Sequence, residues 1–557
     1  MEWPHGAEQH RGTALGRRGA VASAHPFATQ AGIEMLRQGG NAVDALVAMS
    51  AVLSVVEPNS VSAGGVGLMT IAAPGTTEPV VLDFVPPSPA AATPEAFVGA
   101  PPGREAFKYA APSLKDHGVR SVLPPGSLAG WVEALRRFGR MDLQSVLAPA
   151  IAWAEDGFPV SPYLLRVLAA SAPALAVYPD TARVFLPGGG LPSVGEALRQ
   201  PDLAETLRAV AEGGDAAIQG PIADALARFS HENGGLLTLD DLTGWRPSWE
   251  APVSARFRDA IVYAPPPPCS GLQYLLTLNI MAGYDRAYDP TDALCVHRLI
   301  EACKLATVDR IAWTVDRAGG WPMLLTEAYA AARRREIDDR RAALGVGDRF
   351  SAEAMAAGIR PGSVQAAMQE STTHLVAMDA EGWMAASTQT IGGGPARGFG
   401  SGVVFGGTGL LMNNFAHWFD DNPLSPNAIG PNKKVEMCLA PSQIWRDGRP
   451  AAAIGTPGSW GMLQTTPQLL LGLIDPPMDV QAAIERPRFR LASGKAVQME
   501  RRFGPVLEDL AARGHEVVAL PAWSPVVGGA QGVARDPVSG ALTGGADPRR
   551  DGIALAW

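Results

Sequence analysis

Hydrophobic and polar positions repeat with helical spacing through much of the first two thirds of the chain, and with strand spacing after it. Gln30 to Val56 reads as a helix broken at Gly39-Gly40 and resumed after Asn41. Asn41 suits an N-cap, and Asp44 in the first turn meets the helix dipole. Strand-like runs follow at Leu68 to Ala73 and Val80 to Phe84. Helical spacing returns at Ser127 to Phe138, Leu143 to Asp156, Leu203 to Phe229, Leu272 to Met281 and His297 to Val315. Arg333 to Arg341 reads as a charge-dense helix with a solvated face. From Thr373 the period shortens to two. Thr373 to Met378 and Trp383 to Ile391 predict a hairpin about the turn Asp379-Ala-Glu-Gly, and Val403 to Phe405 and Leu410 to Met412 predict a second. Hairpins beside long helices point to an α+β fold with sheets covered by helices. No fixed-period repeat or low-complexity linker divides the chain.

Composition narrows the chemistry. Of 557 residues, 47% are hydrophobic, enough for a large core. The net charge of −9, with no basic run, speaks against a nucleic-acid partner. The four cysteines form neither a CxxC pair nor a disulfide framework, and Cys295 and Cys303 lie in an apolar helical stretch that predicts core positions. The nine histidines are scattered and no HExxH occurs, so no metal site is expected. GxSxG and GxxxxGK[ST] are absent, and neither Gly64-Gly65-Val66-Gly67 nor Gly392-Gly-Gly-Pro completes a dinucleotide fingerprint, so no cofactor is expected. Ser127 reads as an N-cap rather than a nucleophile. Apolar stretches broken by polar residues predict no membrane span, and the opening MEWPHGAEQHRG lacks the pattern of a secretory signal, so the expected location is cytoplasmic.

One segment stands out, Glu370-Ser-Thr-Thr-His-Leu-Val-Ala-Met-Asp379. By itself it does no more than open a strand. It falls, however, within an ordered series of motifs. Gly39-Gly-Asn-Ala-Val-Asp-Ala, Val56-Glu-Pro-Asn-Ser and Pro125-Gly-Ser-Leu-Ala-Gly-Trp come first, followed by Asp241-Leu-Thr-Gly-Trp, Pro266-Pro-Pro-Cys-Ser-Gly and His297-x3-Glu301-Ala-x-Lys304-x4-Asp309-Arg310. Then come Thr372-Thr-His, Phe399-Gly-Ser-Gly, Leu411-Met-Asn-Asn, Gly430-Pro-Asn-Lys, Gly455-Thr-Pro-Gly and Ala546-Asp-Pro-Arg. This series resembles the γ-glutamyltranspeptidase family of N-terminal-nucleophile hydrolases.

The resemblance implies a four-layer αββα sandwich made as one inactive chain that cuts itself before a threonine. The matching bond is Ser371–Thr372, giving fragments Met1–Ser371 and Thr372–Trp557 that remain together as a heterodimer. A threonine hydroxyl is a poor nucleophile without a base. Once cleavage frees it, the α-amine of Thr372, with a pKa of about 7.7–8, can take the hydroxyl proton. By resemblance Thr390 orients the nucleophile, and the backbone N–H groups of Gly458 and Ser459 form an oxyanion hole.

The substrate side departs from the family. The Arg that holds a substrate carboxylate is replaced by Val85, and the Asn after the second threonine by Gly392. The residues that grip the α-amine fall at Phe415 and Trp418, and the paired serines at Met437 and Cys438. Asp420 and Asp421 lie close but out of register, and Arg397 is the basic residue left to meet a carboxylate. The segment from Asn414 to Gly430 is short for the loop that covers the family's site, which implies an open site with apolar walls. These departures resemble the branch of cephalosporin acylases that hydrolyse the side-chain amide of glutaryl-7-aminocephalosporanic acid, since a glutaryl group is glutamate without its amine. The expected function is a self-processing amidohydrolase acting through a Thr372 acyl-enzyme on a small-molecule amide, with weak γ-glutamyl transfer. The alternatives are a glutathione hydrolase and γ-glutamyl transferase, a hydrolase of a small amide such as oxamate, and an uncleaved binding relative.

Overall fold

The computed structural model describes residues 9–102, 113–313, 319–343, 371–393, 398–492 and 494–557. Two seven-stranded sheets stack face to face. One runs in the order Ile553–Ala556, Gly19–Ser23, Thr373–Asp379, Met384–Thr390, Val66–Ala72, Val80–Asp83, Ser248–Glu250. The other runs Ala14–Gly16, Leu542–Ala546, Gln531–Arg535, Arg449–Gly455, Ser442–Arg446, Ala260–Ala264, Val253–Phe257. All pairings within both sheets are antiparallel.

Side-chain parity sorts the residues into layers, because successive side chains of a strand point to opposite faces. In the strand Thr373–Asp379, Leu375 and Ala377 join the helices of the first layer, while Val376 and Met378 join a core between the sheets. That inter-sheet core includes Ala20, Ala22, Ala72, Ala386 and Ala453, and small side chains let the sheets approach closely. The helix Ala42–Val56 is buried on every side, as its apolar circumference requires, and underlies the first sheet. Leu272–Ala282, Ala293–Trp313 and Met462–Ile474 cover the second sheet. The result is the four-layer αββα sandwich that the resemblance implied.

Most predicted elements are present within a few residues. Asn41 and Asp44 form a reciprocal capping box, and the Asp379 carboxylate accepts from the Ala42 N–H, tying the predicted hairpin turn to that helix. Three expectations need correction. Leu203 to Phe229 is not continuous: Pro201–Gly213 ends at Gly214, whose φ of 51° suits glycine, and the next long helix is Ala223–Glu232. The charged stretch beginning at Arg333 is not a solvated helix, since the helix there is Glu327–Arg334 and Arg333 binds the buried Asp309 carboxylate at 2.5 Å. Ser127 is the first helical residue and not the cap. Gly126 takes the cap position because a Cβ there would overlap the Phe84 carbonyl. Among the described residues no helix is long and apolar enough to cross a membrane.

Candidate active site

Strand register assembles the catalytic candidates. Thr373 pairs with Gln389 and His374 with Thr388, so continuing the ladder by one residue sets Thr372 opposite Thr390. The Thr372 and Thr390 hydroxyl oxygens are 3.2 Å apart. By parity with His374, Val376 and Met378, Thr372 lies on the inter-sheet face. Gln389, pointing the other way, is held from the helical side: its Oε1 accepts from Trp131 Nε1 and its Nε2 donates to Ser50 Oγ. The Trp131 of the Pro125 to Trp131 motif therefore anchors the residue beside Thr390.

Both hydroxyls converge on one carbonyl. Thr372 Oγ1 lies 2.8 Å from the Ser371 carbonyl oxygen, and Thr390 Oγ1 donates to that same oxygen. Thr390 Oγ1 accepts from the Gly392 N–H at 2.9 Å. Gly392 has φ +98°, and a side chain there would overlap Asn414 Oδ1. It thus acts through its backbone on Thr390. Asn414 Nδ2 donates to the carbonyls of Gly393 and Asp116, and Asn413 bonds Gly64 and Leu123, so the paired asparagines tie the loop after Thr390 to two other segments.

The expectation of an open site is not met in the uncut chain. Ser371, Thr372 and Thr390 are 2%, 1% and 0% exposed. Among the described residues the Thr372 hydroxyl hydrogen-bonds to the Ser371 carbonyl and to Thr390.

His374 lies two residues along the strand from Thr372, on the same face. Its Nδ1 meets Thr388 Oγ1 at 2.9 Å, and burial pushes its pKa down to about 3, so it stays neutral. Its ring lies against Gly455, where a Cβ would overlap it. Gly455 ends a strand of the second sheet and leads into Thr456–Gly461. There Gly458 and Ser459 adopt φ of +136° and +52°. Neither N–H makes a hydrogen bond among the described residues. Two free backbone donors at a strained turn suit an oxyanion hole.

Two charged groups near Thr372 were not singled out from sequence. Arg550 donates to the Thr372 carbonyl at 3.4 Å and packs over Gly529, whose N–H in turn donates to Thr456 Oγ1. Glu57, at the end of the buried helix, is pushed up to about 7 by burial, against the opposing charge of Arg550. Both fall within or beside motifs already visible, Val56-Glu-Pro and Asp547-Pro-Arg-Arg550, but nothing local distinguishes them from surface charges.

The candidate substrate residues come together as well. Val85, Phe415, Met437 and Cys438 belong to one apolar cluster and are at most 1% exposed, and Trp418 packs against it. Trp418 stacks on Phe415 at 5.4 Å and meets Trp460, the neighbour of Ser459, at 5.6 Å. Asp420 accepts from Ser425, Asp421 pairs with Lys115, and Arg397 lies outside the described residues. Asp83, two residues before Val85, is held by Lys434.

Against the expectation of scattered ligands, His297, Glu301 and His515 place their donor atoms within 4.8 Å of one another. Tertiary packing of residues far apart in sequence makes this trio. His297 Nδ1 lies 2.8 Å from His515 Nε2, its Nε2 lies 2.8 Å from the Asp338 carbonyl, and Lys304 binds Glu301 at 2.8 Å. Burial, reinforced by the charges of Lys304, Arg513 and Lys495, pushes His515 down to about 3. Lys304 already neutralises the only carboxylate of the trio, so the cluster works as a hydrogen-bonded brace.

The described geometry agrees with relationships across the whole chain. The family model for gamma-glutamyltranspeptidase matches residues 28–557. The chain is 37% identical to the acylase ACY 1 proenzyme of Pseudomonas sp. (strain SE83), over 98% of this chain and 94% of that protein. It is 32% identical to the glutathione hydrolase proenzyme of Escherichia coli (strain K12), over 96% and 90% respectively. The crystal structure of cephalosporin acylase from Bacillus halodurans superposes with a TM-score of 0.86 at 32% identity, covering 100% of this chain and 99% of that one. With its fold, its motifs and its relatives named as acylases and hydrolases in accord, the chain belongs to the gamma-glutamyltranspeptidase family and, within it, to the amide-hydrolysing enzymes.

Proposed function

We propose that the protein is a self-processing amidohydrolase that cuts its own Ser371–Thr372 bond and then uses Thr372 as an N-terminal nucleophile on the side-chain amide of a substrate such as glutaryl-7-aminocephalosporanic acid. The observation that carries this reading is the pair of threonine hydroxyls on the Ser371 carbonyl. A hydroxyl has one proton to give. If Thr372 gives its proton to Thr390, its lone pairs are left to face the Ser371 carbonyl carbon while Thr390 polarises the carbonyl oxygen. Attack forms a C–O bond, the C–N bond breaks, and the hydroxyl proton passes to the departing amine. The product is an ester on Thr372 Oγ beside a free α-amine, and water hydrolyses the ester to release the Ser371 carboxyl.

The freed amine supplies the base that the uncut site lacks. In turnover it takes the Thr372 proton, the hydroxyl attacks the substrate amide, Gly458 and Ser459 stabilise the oxyanion, and the amine product leaves with the proton. Water then resolves the acyl-enzyme. An α-amine in place of water would give transfer, the weak γ-glutamyl activity expected beside hydrolysis. The replacement of polar clamp residues by Val85, Phe415, Trp418 and Met437 supports an acyl group without an α-amine.

Intact mass of wild type and Thr372→Ala tests the reading. Two fragments, the smaller beginning at Thr372, and an uncut variant of 58.2 kDa are expected. A wild-type chain that stays whole would remove the mechanism. A panel of glutaryl-cephalosporin, glutathione and oxamate assigns the substrate, and a KM for glutathione far below that for the cephalosporin would reassign the enzyme as a glutathione hydrolase.

A further inference from the structure

Val85 leaves the site without the family's carboxylate-binding arginine, yet a different arginine closes the row of aromatic rings. Arg310, from the helix Ala293–Trp313, places its guanidinium carbon 4.1 Å from the ring centroid of Trp460. The order Phe415, Trp418, Trp460, Arg310 therefore runs along the acyl-site wall and ends one residue from the oxyanion donor Ser459. Phe415 is fully buried, Trp418, Ser459 and Trp460 are only partly buried, and Arg310, 6% exposed, lies behind Trp460 at the inner end of the row.

The bonding of Arg310 is incomplete. Its Nη1 donates to Glu436 Oε1 at 2.5 Å, and Ser270 Oγ donates to the same oxygen. Its Nε is buried without a hydrogen-bond partner, and Nη2 makes no hydrogen bond among the described residues. A buried guanidinium N–H left unpaired is costly, and the Nε–Nη2 edge has the geometry that takes a carboxylate through two parallel bonds. Burial raises Glu436 and Asp420, the two acids that face this guanidinium, which weakens their competition for it.

We propose that the Nε–Nη2 edge of Arg310 receives the terminal carboxylate of a dicarboxylic acyl group, so that the enzyme selects amides whose acyl chain ends in an anion. The chain of the acyl group lies along Trp460, with its scissile carbonyl at Gly458 and Ser459. This rests on the amidohydrolase reading above. It places the missing charge of the family's clamp on another helix, reached through the fold and not through sequence alignment.

The test uses the cleaved enzyme and two chromogenic amides, glutaryl p-nitroanilide and its monomethyl ester, which differ only in the charge at the acyl end. Arg310→Gln should raise KM for the glutaryl amide by about 10–100-fold, with kcat nearly unchanged and the ester unaffected. Glu436→Gln, which removes the competing anion and keeps the arginine, should lower KM for the glutaryl amide alone by about threefold. Equal losses on both amides in Arg310→Gln would assign the arginine to structure and overturn the proposal. So would an unchanged KM in that variant. If Arg310→Gln does not mature to fragments, Glu436→Gln decides: a KM that fails to fall selectively overturns the proposal. A matured wild type that hydrolyses neither amide would sink the amidohydrolase reading itself, a result distinct from loss of selectivity.

Discussion

The threonine corner and the aromatic wall are built differently. Thr372 and Thr390 meet because two strands joined by a short turn share one antiparallel register, so a local hairpin sets the distance between them. The aromatic wall, the proposed acyl site, draws Val85, Arg310, Phe415, Trp418, Met437 and Trp460 from five separate stretches of chain. A register cannot slip by one residue without turning every side chain to the wrong face, whereas a wall of packed side chains can be exchanged piece by piece. On the proposed reading, the threonine chemistry can therefore stay while the acyl group it reads changes.

Substitutions on the two sides should separate accordingly. Thr390→Ala removes the hydroxyl that polarises the Ser371 carbonyl and should slow self-cleavage by about 10²–10³-fold, as loss of an oxyanion donor does, with Thr390→Ser restoring most of the rate; timed gel or mass analysis reads this. Unchanged cleavage would detach Thr390 from the chemistry.

Glu57 probes the support behind the nucleophile. Its carboxyl is raised from 4.5 to about 7 in the fold. Below pH 4.5 it is protonated folded or unfolded and has no effect. Between the two values the unfolded chain ionises and the native state does not, so native stability falls as pH rises, by roughly 1–3 kcal/mol in all, and then levels off above 7. Glu57→Gln should abolish this slope, so that its melting temperature gains on wild type from pH 5 to 8. Parallel curves would place the shift elsewhere.

Gly392→Ala forces a Cβ into Asn414 at a left-handed φ and should cost about 1–3 kcal/mol in thermal or denaturant unfolding while slowing maturation. On the other side, Trp418→Ala should leave self-cleavage within about twofold and raise KM for the glutaryl amide about tenfold, through loss of one aromatic contact layer. If Trp418→Ala blocked maturation as strongly as Thr390→Ala, the two regions would not be separable.

How far each region could be read in the sequence follows the same division. Thr372, Thr390, Gly458 and Ser459 stand in motifs whose order along the chain survives without any knowledge of packing. The hairpin from Thr373 to Thr390 is a period-two pattern that dictates its own register once the turn at Asp379 is located. Arg310 and Glu57 also stand in visible motifs, but a charged residue in a helix carries no local mark of burial, and only packing against Trp460 or Arg550 distinguishes it from a solvated one. Likewise Gly214 breaks a helix that apolar spacing alone would continue.

The sequence by itself thus determined the elements, the layered fold class, the family and the threonine pair, because backbone periodicity and nearest-neighbour register are local properties. Only the tertiary structure decided that Thr372 is buried, that His297, Glu301 and His515 converge, and that an arginine from a distant helix stands at the end of the aromatic row. Those depend on which faces of separate elements are pressed together, and packing in three dimensions is not ordered along the chain.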